Sequence, residues 1–228
     1  MPEFDLYAKQ YEELLYDPIR ERFAPSSEFF FERKWLLLRE YMDSIGMRPE
    51  TARWLDVGCG KGELLRRGVG TVGETIGCDV SPDMLQAAHG LNVVIQEEPT
   101  RLPFLDAKFD LVTAVCVYHH VTPTDRPKLT GEIARVLRPG GTACIIEHNP
   151  FNPVTQLIVH RTPVDKDAQL LAARTAGRLL AAGGLRNDKT VYFLYFPEKL
   201  HTRLRRLEAT LAGFPAGGQY AVFAHKPC

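Results

Sequence analysis

The sequence predicts an α/β protein built on a doubly wound, mostly parallel sheet of seven strands. Two observations predict this fold: short apolar runs alternate with helical stretches from Arg53 onward, and a glycine-rich turn follows the first run. Strands that alternate with helices pair in parallel and are covered by helices on both faces. Helical patterns before the first strand and an insertion after the fifth are additions to this sheet.

Apolar and aromatic residues at helical spacing begin the chain. Residues 4 to 16 carry such a stripe, and residues 28 to 45 repeat it after Ser26 and Ser27, which can cap a helix. These patterns predict a helical cap over residues 1 to 48. The chain shows no linker and no internal repeat, so we expect a single domain over residues 1 to 228.

Seven apolar runs predict the strands. They span residues 54–57, 75–78, 92–95, 110–117, 142–146, 191–196 and 219–224. Rules for helix ends place one helix start at Ser81-Pro82-Asp83 and one helix end at Arg138-Pro139-Gly140-Gly141.

Two more helices and one insertion complete the prediction. A helix is expected over residues 167 to 182, and another carries the apolar stripe Leu200, Leu204, Leu207 and Leu211. Between the fifth strand and the first of these helices, the proline-bearing residues 149 to 166 predict an irregular insertion. We interpret this insertion as a lid.

Composition limits the class of protein. The 228 residues are 45% hydrophobic and 25% charged, the balance of a globular protein. No apolar run approaches the ~18 residues that a membrane span requires, and the N-terminus lacks a signal-peptide pattern, so we expect a cytoplasmic protein without membrane contact. The five cysteines form no close pair, which disfavours a disulfide framework and a CxxC zinc site.

Charge is balanced overall but divided along the chain. The 28 basic and 28 acidic residues split into 17 against 23 over residues 1 to 149 and 11 against 5 over residues 150 to 228. Without a block of Lys and Arg, nucleic-acid binding is not expected. The basic C-terminal part would suit an anionic small molecule, with His160, Arg161 and Lys166 as its contacts, or would simply be a solvated surface. No feature indicates an oligomeric state.

The glycine-rich turn has acidic neighbours. Its order is G-x-G-x-G, preceded by Asp56, and Glu63 stands where a dinucleotide fingerprint needs its third glycine. Because carboxylates repel the negative charge of a pyrophosphate, the turn favours a ligand that has no phosphates and carries positive charge. Asp79 follows at about 20 residues, where a carboxylate reaches both hydroxyls of a ribose. Alternatively, Asp79 could cap the helix that begins at Pro82.

Four motifs in order resemble the class I S-adenosylmethionine-dependent methyltransferases, in particular the type 11-like group that acts on small molecules. They are Leu55 to Gly62, Asp79, Leu102 to Val112, and His119-His120, and the resemblance covers about residues 50 to 148. It implies a Rossmann-like methyltransferase fold, S-adenosylmethionine as cofactor, and methyl transfer to a hydroxyl, amine or carbon of a small-molecule acceptor.

The resemblance also implies a set of cofactor-binding residues. Gly58 and Gly60 would lie under the methionine part, Asp56 would hold its amino group, and Asp79 would hold the ribose. Glu98 takes the place of the aspartate that the family places near adenine, and the backbone at Cys116 would meet the ammonium. Tyr7 and Tyr11 of the first helix would close over the cofactor or, alternatively, pack in the core.

Titratable residues follow the fourth and fifth strands, where ligands bind in such sheets. His119, His120, Glu147 and His148 are therefore the candidate bases for removing a proton from the acceptor. We expect no metal, because adjacent side chains on a strand point apart.

Two alternatives to a methyltransferase remain open. A nicotinamide-dependent reductase is disfavoured by Glu63 and by the lack of a Tyr-x-x-x-Lys pair. The other alternative is a methyltransferase-like protein that binds ligands without turnover.

Overall fold

A computed structural model describes the backbone of residues 11–228 and the side chains of residues 13–228. Its strands are β1 (Arg53–Val57), β2 (Glu74–Asp79), β3 (Val93–Ile95), β4 (Phe109–Val115), β5 (Leu137–His148), β6 (Arg186–Phe193) and β7 (Gln219–His225). Its helices are α1 (Tyr11–Leu14), α2 (Pro18–Phe23), α3 (Ser27–Ser44), α4 (Glu63–Gly68), α5 (Pro82–Ala87), α6 (Arg126–Val136), α7 (Pro153–Arg161), α8 (Ala173–Ala182) and α9 (Glu198–Leu211).

Within residues 11–228 the strands form one seven-stranded sheet in the order β3-β2-β1-β4-β5-β7-β6. The neighbours from β3 to β5 pair in parallel, whereas β7 runs antiparallel to both β5 and β6. This architecture confirms the predicted mostly parallel sheet. The carboxyl ends of β1, β2, β4 and β5 meet at one edge, which is where ligands bind in such sheets.

The sheet has a hydrophobic core on each face because successive side chains of a strand point to opposite faces. In β1, Trp54 stacks on Trp35 of α3 with ring centroids 5.7 Å apart. Leu55 belongs to the core on the other face, together with Leu129 and Ile133 of α6. Helices on both faces fix the register of the strands and hence the positions of the loops at their ends.

The insertion after β5 is helical, so the prediction of an irregular segment over residues 149–166 was wrong. Pro153 occupies the first turn of α7, where its missing N–H costs nothing, and Asn152 caps the helix by accepting a 2.9 Å hydrogen bond from Thr155 N. A 3₁₀ turn, Pro163–Asp165, follows. These prolines start helical turns rather than interrupting them.

One predicted helix start and one predicted helix end were also wrong. The helix expected from residue 167 begins only at Ala173, because the preceding stretch bonds to other elements: Gln169 N donates to His119 O at 2.8 Å, and Tyr220 Oη donates to Leu171 O at 2.8 Å. Helix α6 ends at Val136, before the Pro-Gly-Gly sequence, which lies within β5.

Helix α9 forms where predicted, but its buried residues are not the leucines of its apolar stripe. Leu200 and Leu207 are 45% and 47% exposed, whereas His201 and Glu208 are buried. Arg33 Nη2 of α3 donates to Glu208 Oε1, and Tyr195 N donates to Glu208 Oε2 at 3.2 Å. A buried ion pair therefore joins α9 to α3.

Within residues 11–228, no helix is both long and apolar enough to cross a bilayer.

Replacing Glu208 by Ala should lower the free energy of unfolding by about 3 kcal/mol, because Arg33 would keep a buried charge without its partner. Urea denaturation followed by circular dichroism measures the change. Glu198→Ala, an exposed position in the first turn of the same helix, is the control and should change stability by no more than about 0.5 kcal/mol. Equal effects of both variants would contradict this role of the ion pair.

Candidate active site

One cavity of about 800 Å³ lies at the carboxyl edge of the sheet. The turn after β1, the end of β2 and the loops after β4 and β5 form its floor, and Leu15 together with residues of α2, α3 and α7 covers it. Of the candidate residues with described side chains, those that line the cavity are Asp56, Gly58, Gly60, Asp79, Cys116, His119, His120 and His148. The fold thus brings most of the predicted site together.

The glycine-rich turn after β1 needs its glycines for two reasons. Gly58, Gly60 and Gly62 all have positive φ angles, of 66°, 53° and 77°. A Cβ on Gly58 would come within 2.5 Å of the Val117 side chain. A Cβ on Gly60 would meet no protein atom within 4 Å and would project beside the cavity that this residue lines.

Asp79 holds the turn in place from the end of β2. Its Oδ2 accepts a hydrogen bond from Gly60 N at 2.9 Å, and its Oδ1 accepts one from Ser81 N at 2.9 Å. The helix cap is Ser81 itself, whose Oγ accepts from Met84 N at 3.2 Å. Ser81, not Asp79, therefore caps α5, so the alternative role for Asp79 was wrong. Asp79 lines the cavity.

Asp56 is a buried carboxyl beneath the turn. Its Oδ1 accepts a 2.5 Å hydrogen bond from Thr113 Oγ1, which in turn accepts one from Trp54 Nε1 at 2.8 Å. Burial raises the pKa of Asp56 to about 7, although the Thr113 hydrogen bond and the charge of Lys34 oppose this shift. A cation placed beside Asp56 would favour its ionised form.

Lys34 is a cavity residue that the sequence analysis missed. It lies on α3, is only 5% exposed and lines the cavity with its ammonium 4.9 Å from the Phe31 ring centroid. Its charge acts on Asp56 and on His148, which lie on different sides of the cavity. The available signal was a lysine on the apolar stripe of a helix, next to Trp35 and four residues before Leu38.

The structure does not bring Glu98 into the cavity. Its side chain is 66% exposed and lies 3.9 Å from Arg101. Gln96, two residues earlier, is buried and lines the cavity together with Pro99. Its amide Nε2 donates to Glu98 O at 3.0 Å and to Pro99 O at 2.9 Å, which fixes the loop that follows β3.

Cys116 marks the end of β4 with an uncommon backbone. Its φ angle is 57°, a left-handed value that a residue with a side chain adopts at a cost. Its N–H donates to Ile146 O at 2.8 Å, and Gln219 Nε2 of β7 contacts its sulfur at 3.6 Å. After this left-handed residue the chain places His119 and His120 in the lining of the cavity.

The predicted aromatic closure by Tyr7 and Tyr11 involves side chains that lie outside the described residues.

Glu147 and His119 form a buried pair, of which His119 lines the cavity and Glu147 does not. His119 Nδ1 donates to Glu147 Oε2 at 2.5 Å, and Tyr118 N donates to Glu147 Oε1 at 2.7 Å. Burial alone would lower the pKa of His119, but the charge of Glu147 and contacts with Asp165 outweigh it and raise that pKa well above its usual value. Burial opposes ionisation of Glu147, whereas His119 holds the pKa of that carboxyl below its usual value.

His120 and His148 are the neutral rings of the cluster. Burial, followed by the charge of His119, lowers the pKa of each to about 4. The His119 ring centroid lies 4.1 Å from that of His120 and 5.3 Å from that of His148. Of the four predicted bases, His120 and His148 are the unprotonated rings that face the cavity, whereas Glu147 does not line it.

The expectation of no metal placed the histidine pair on a strand, and that placement was wrong. His119 and His120 lie in a 3₁₀ turn, Tyr118–His120, not on a strand, so their rings converge instead of pointing apart. Asp165, a residue that the sequence analysis missed, approaches both rings. No sequence signal marked it beyond its place in the proline-bearing insertion.

The basic residues proposed to meet an anionic acceptor lie elsewhere. His160, Arg161 and Lys166 are exposed and do not line the cavity. Arg161 Nε instead lies 3.3 Å from Asp17 Oδ2, the cap residue of α2, and so links the end of α7 to the N-terminal helices.

Comparison with known protein families gives one match at the part of the chain that carries the turn and the sheet. Residues 55–145 match the family described as "Methyltransferase domain". The match includes the glycine-rich turn, Asp79 and the histidine pair. It gives no support to the alternative of a nicotinamide-dependent reductase.

Curated relatives fall into more than one class. The chain is 30% identical over 159 residues to a tRNA (carboxymethyluridine(34)-5-O)-methyltransferase of Arabidopsis thaliana, covering 68% of this chain and 37% of that protein. It is 33% identical over 126 residues to a ubiquinone/menaquinone biosynthesis C-methyltransferase of Hahella chejuensis, covering 50% of this chain and 49% of that protein. The chain thus spans less than half the length of these relatives.

A solved structure shares the fold over nearly the whole chain. A SAM-dependent methyltransferase from Thermotoga maritima superposes with a TM-score of 0.69 at 18% identity, covering 99% of this chain and 100% of that one. The motifs, the sheet order and the family match agree: residues 55–145 form a methyltransferase domain, and the chain has the class I methyltransferase fold.

Proposed function

We propose that this protein transfers a methyl group from S-adenosylmethionine to a small-molecule acceptor. One observation carries the proposal: a single cavity has the glycine-rich turn, Asp56 and Asp79 at one end and His120 and His148 at the other. The first group suits a nucleoside with a cationic amino-acid part. The second group suits an acceptor that must lose a proton.

The acidic end of the cavity matches the charges of the cofactor. Asp79 would hold the ribose hydroxyls, Gly58 and Gly60 would let the methionine part approach the backbone, and Asp56 would pair with its ammonium. Lys34 would pair with the carboxylate of the same methionine part. The sulfonium adds a further positive charge beside carboxylates, so the cofactor would compensate the buried negative charge of the site.

The acceptor end combines apolar walls with the polar cluster. Phe30 and Phe31 of α3, Ile158 of α7, and Leu194 line the same cavity as the histidines. Such a lining favours a small, partly apolar acceptor whose reactive group meets the polar residues. The zero net charge adds to this preference over a tRNA acceptor, because tRNA binding needs a concentrated basic surface.

The reaction is a displacement at the methyl carbon. A lone pair of the acceptor oxygen, nitrogen or carbon attacks that carbon in line with the C–S bond, and the electron pair of the broken bond stays on sulfur. S-adenosylhomocysteine leaves, and the acceptor proton passes to His120 or His148. The enzyme contributes alignment and proton removal, since the sulfonium is already activated.

Helices α2 and α7 would form the lid over both ligands. Arg20 and Phe23 of α2 and Val154 and Ile158 of α7 line the cavity from above. The contact between Arg161 and Asp17 joins the two helices and would exclude water from the reacting atoms.

Transfer of a labelled methyl group tests the acceptor class. The protein is incubated with S-adenosylmethionine carrying a tritiated methyl group, in parallel with a small-molecule extract and with an unmethylated tRNA fraction. We expect label in the small-molecule fraction. Label in tRNA alone would refute the small-molecule acceptor, and binding without label in either fraction would indicate the protein that binds ligands without turnover.

Replacing His120 or His148 by Ala should lower turnover by about a hundredfold to ten-thousandfold if that ring accepts the proton. Affinity for S-adenosylmethionine should stay unchanged, since neither ring contacts the cofactor in this arrangement. Steady-state kinetics on the labelled acceptor fraction, with titration calorimetry for the cofactor, separates the two effects. Near-wild-type turnover in both variants would exclude both rings as the base.

Affinity for S-adenosylmethionine should depend on pH through Asp56. Because burial raises the pKa of that carboxyl to about 7, binding of the ammonium below this pH must first remove a proton. The dissociation constant should therefore rise by up to about tenfold for each pH unit below about 7 and level off above it. Titration calorimetry over this range measures the profile.

Asp56→Asn should bind more weakly and lose this dependence, because an amide cannot ionise. Asp43→Asn, an exposed position on α3, is the matched control and should keep the wild-type profile. The same slope in Asp56→Asn and in wild type would assign the titration to another group.

Lys34→Met should weaken S-adenosylmethionine binding by about tenfold to a hundredfold, through loss of a charge-assisted contact with the methionine carboxylate. Decarboxylated S-adenosylmethionine provides the specific readout. Wild type should prefer the carboxylated cofactor, and the variant should not. Lys128→Met, an exposed lysine, serves as the control, and a preference that survives in Lys34→Met would contradict the assignment.

A further inference from the structure

Two histidines and an aspartate converge at the acceptor end of the cavity. His119 and His120 come from the 3₁₀ turn after β4, and Asp165 comes from the 3₁₀ turn after α7. Asp165 Oδ1 lies 3.4 Å from His119 Nε2 and 3.5 Å from His120 Nε2. One donor atom from each residue lies within 4.8 Å of the others. We propose that these three residues bind a divalent first-row transition-metal cation, with Zn²⁺ as the representative ion.

The spacing of the donor atoms suits such an ion. Ligand atoms that are each about 2.0 to 2.1 Å from a tetrahedral Zn²⁺ lie about 3.4 Å from one another. The two distances from Asp165 Oδ1 are close to this value. Two imidazole nitrogens and one carboxylate oxygen also form a recurrent donor set for zinc and for non-haem iron.

Glu147 orients one of the ligands. Its Oε2 accepts a 2.5 Å hydrogen bond from His119 Nδ1, which directs Nε2 of the same ring toward Asp165. A histidine that binds a metal usually donates its other ring N–H to a carboxylate in this way. Tyr118 N fixes Glu147 in turn at 2.7 Å. Thus the support that a metal ligand needs is already in place behind His119.

The charge of the cluster also favours a cation. Glu147 and Asp165 bring two carboxylates to the same buried region, and a divalent ion that replaces the Nε2 proton of His119 would balance both. His119, His120 and Asp165 all line the cavity, so the remaining coordination position would face the acceptor. This is the open arrangement of catalytic rather than structural metal sites.

The role of the ion in the reaction rests on the proposed function, whereas its binding does not. An acceptor hydroxyl coordinated to the cation would lose its proton more easily. The proton would pass to His148, and the oxygen lone pair would form the new bond to the methyl carbon as the C–S bond breaks.

The experiment measures metal binding without S-adenosylmethionine. The full chain, freed of any affinity tag and dialysed against a chelator, is titrated with Zn²⁺ by calorimetry and with Co²⁺ by visible absorption. Wild type should bind about one equivalent and give the strong Co²⁺ bands of a four-coordinate site. His120→Ala and Asp165→Asn should abolish this binding, and Glu147→Gln should weaken it by about ten- to a hundredfold.

Another His–Asp contact in the chain supplies matched controls. His225 Nδ1 and Asp188 Oδ1 are 2.6 Å apart, but they do not belong to a group of three metal-ligating residues in the described part of the chain. His225→Ala and Asp188→Asn should therefore keep the wild-type stoichiometry. Circular dichroism checks that each variant is folded, and Asp165→Asn, which keeps the shape of the side chain, remains informative if an alanine variant is not.

Three results would overturn the site: no stoichiometric binding by wild type, unchanged affinity in a folded Asp165→Asn, or equal loss in the controls. The outcome is independent of methyl transfer. Binding of Zn²⁺ without binding of S-adenosylmethionine would support the metal site and refute the proposed function. Binding of S-adenosylmethionine without binding of Zn²⁺ would refute the metal site and leave the proposed function standing.

Discussion

Burial of carboxylates around one cavity is the constraint on which the rest of the site depends. Asp79 accepts hydrogen bonds from two backbone N–H groups, and Glu147 accepts them from His119 and Tyr118 N. Asp165 contacts the same histidine. For Asp56, burial raises the pKa to about 7. The compensation of Asp56 is the least complete, because a neutral carboxyl is the form that burial favours. A ligand that brings positive charge to this end therefore completes the electrostatics of the site.

The two ends of the cavity use this constraint for different purposes. At the cofactor end, Asp79 fixes the turn that must approach the ligand, so the residue that shapes the site would also bind the ribose. At the acceptor end, Glu147 lies below the cavity and acts through His119, which keeps the charge of the cluster on one ring and leaves His120 and His148 neutral. The proposed proton transfer relies on this division, whereas the proposed cation would take the place of the Nε2 proton of His119.

The sequence predicted the parts of the fold that local patterns determine. Periodicity and turn residues located all seven strands, and the motif spacing located Gly58, Gly60 and Asp79 at one edge. The prediction was wrong where residues distant in sequence determine the local structure. Residues 167 to 172 bond to the loop after β4 and to β7 instead of forming a helix. Helix α9 buries Glu208 because Arg33 of α3 forms an ion pair with it. For the same reason the motifs led to Glu98, while only the folded chain brings Lys34 and Asp165 to the cavity.

Binding of S-adenosylmethionine through Asp79 is the claim from which the account of the cavity follows. Titration calorimetry of wild type and Asp79→Ala with S-adenosylmethionine, and of wild type with NADPH, measures it directly. We expect one site for S-adenosylmethionine, no binding of NADPH, and an affinity about tenfold to a hundredfold weaker in a folded Asp79→Ala, since charge-assisted hydrogen bonds to the ribose are lost. Unchanged affinity in that variant, or tight binding of NADPH, would contradict this claim.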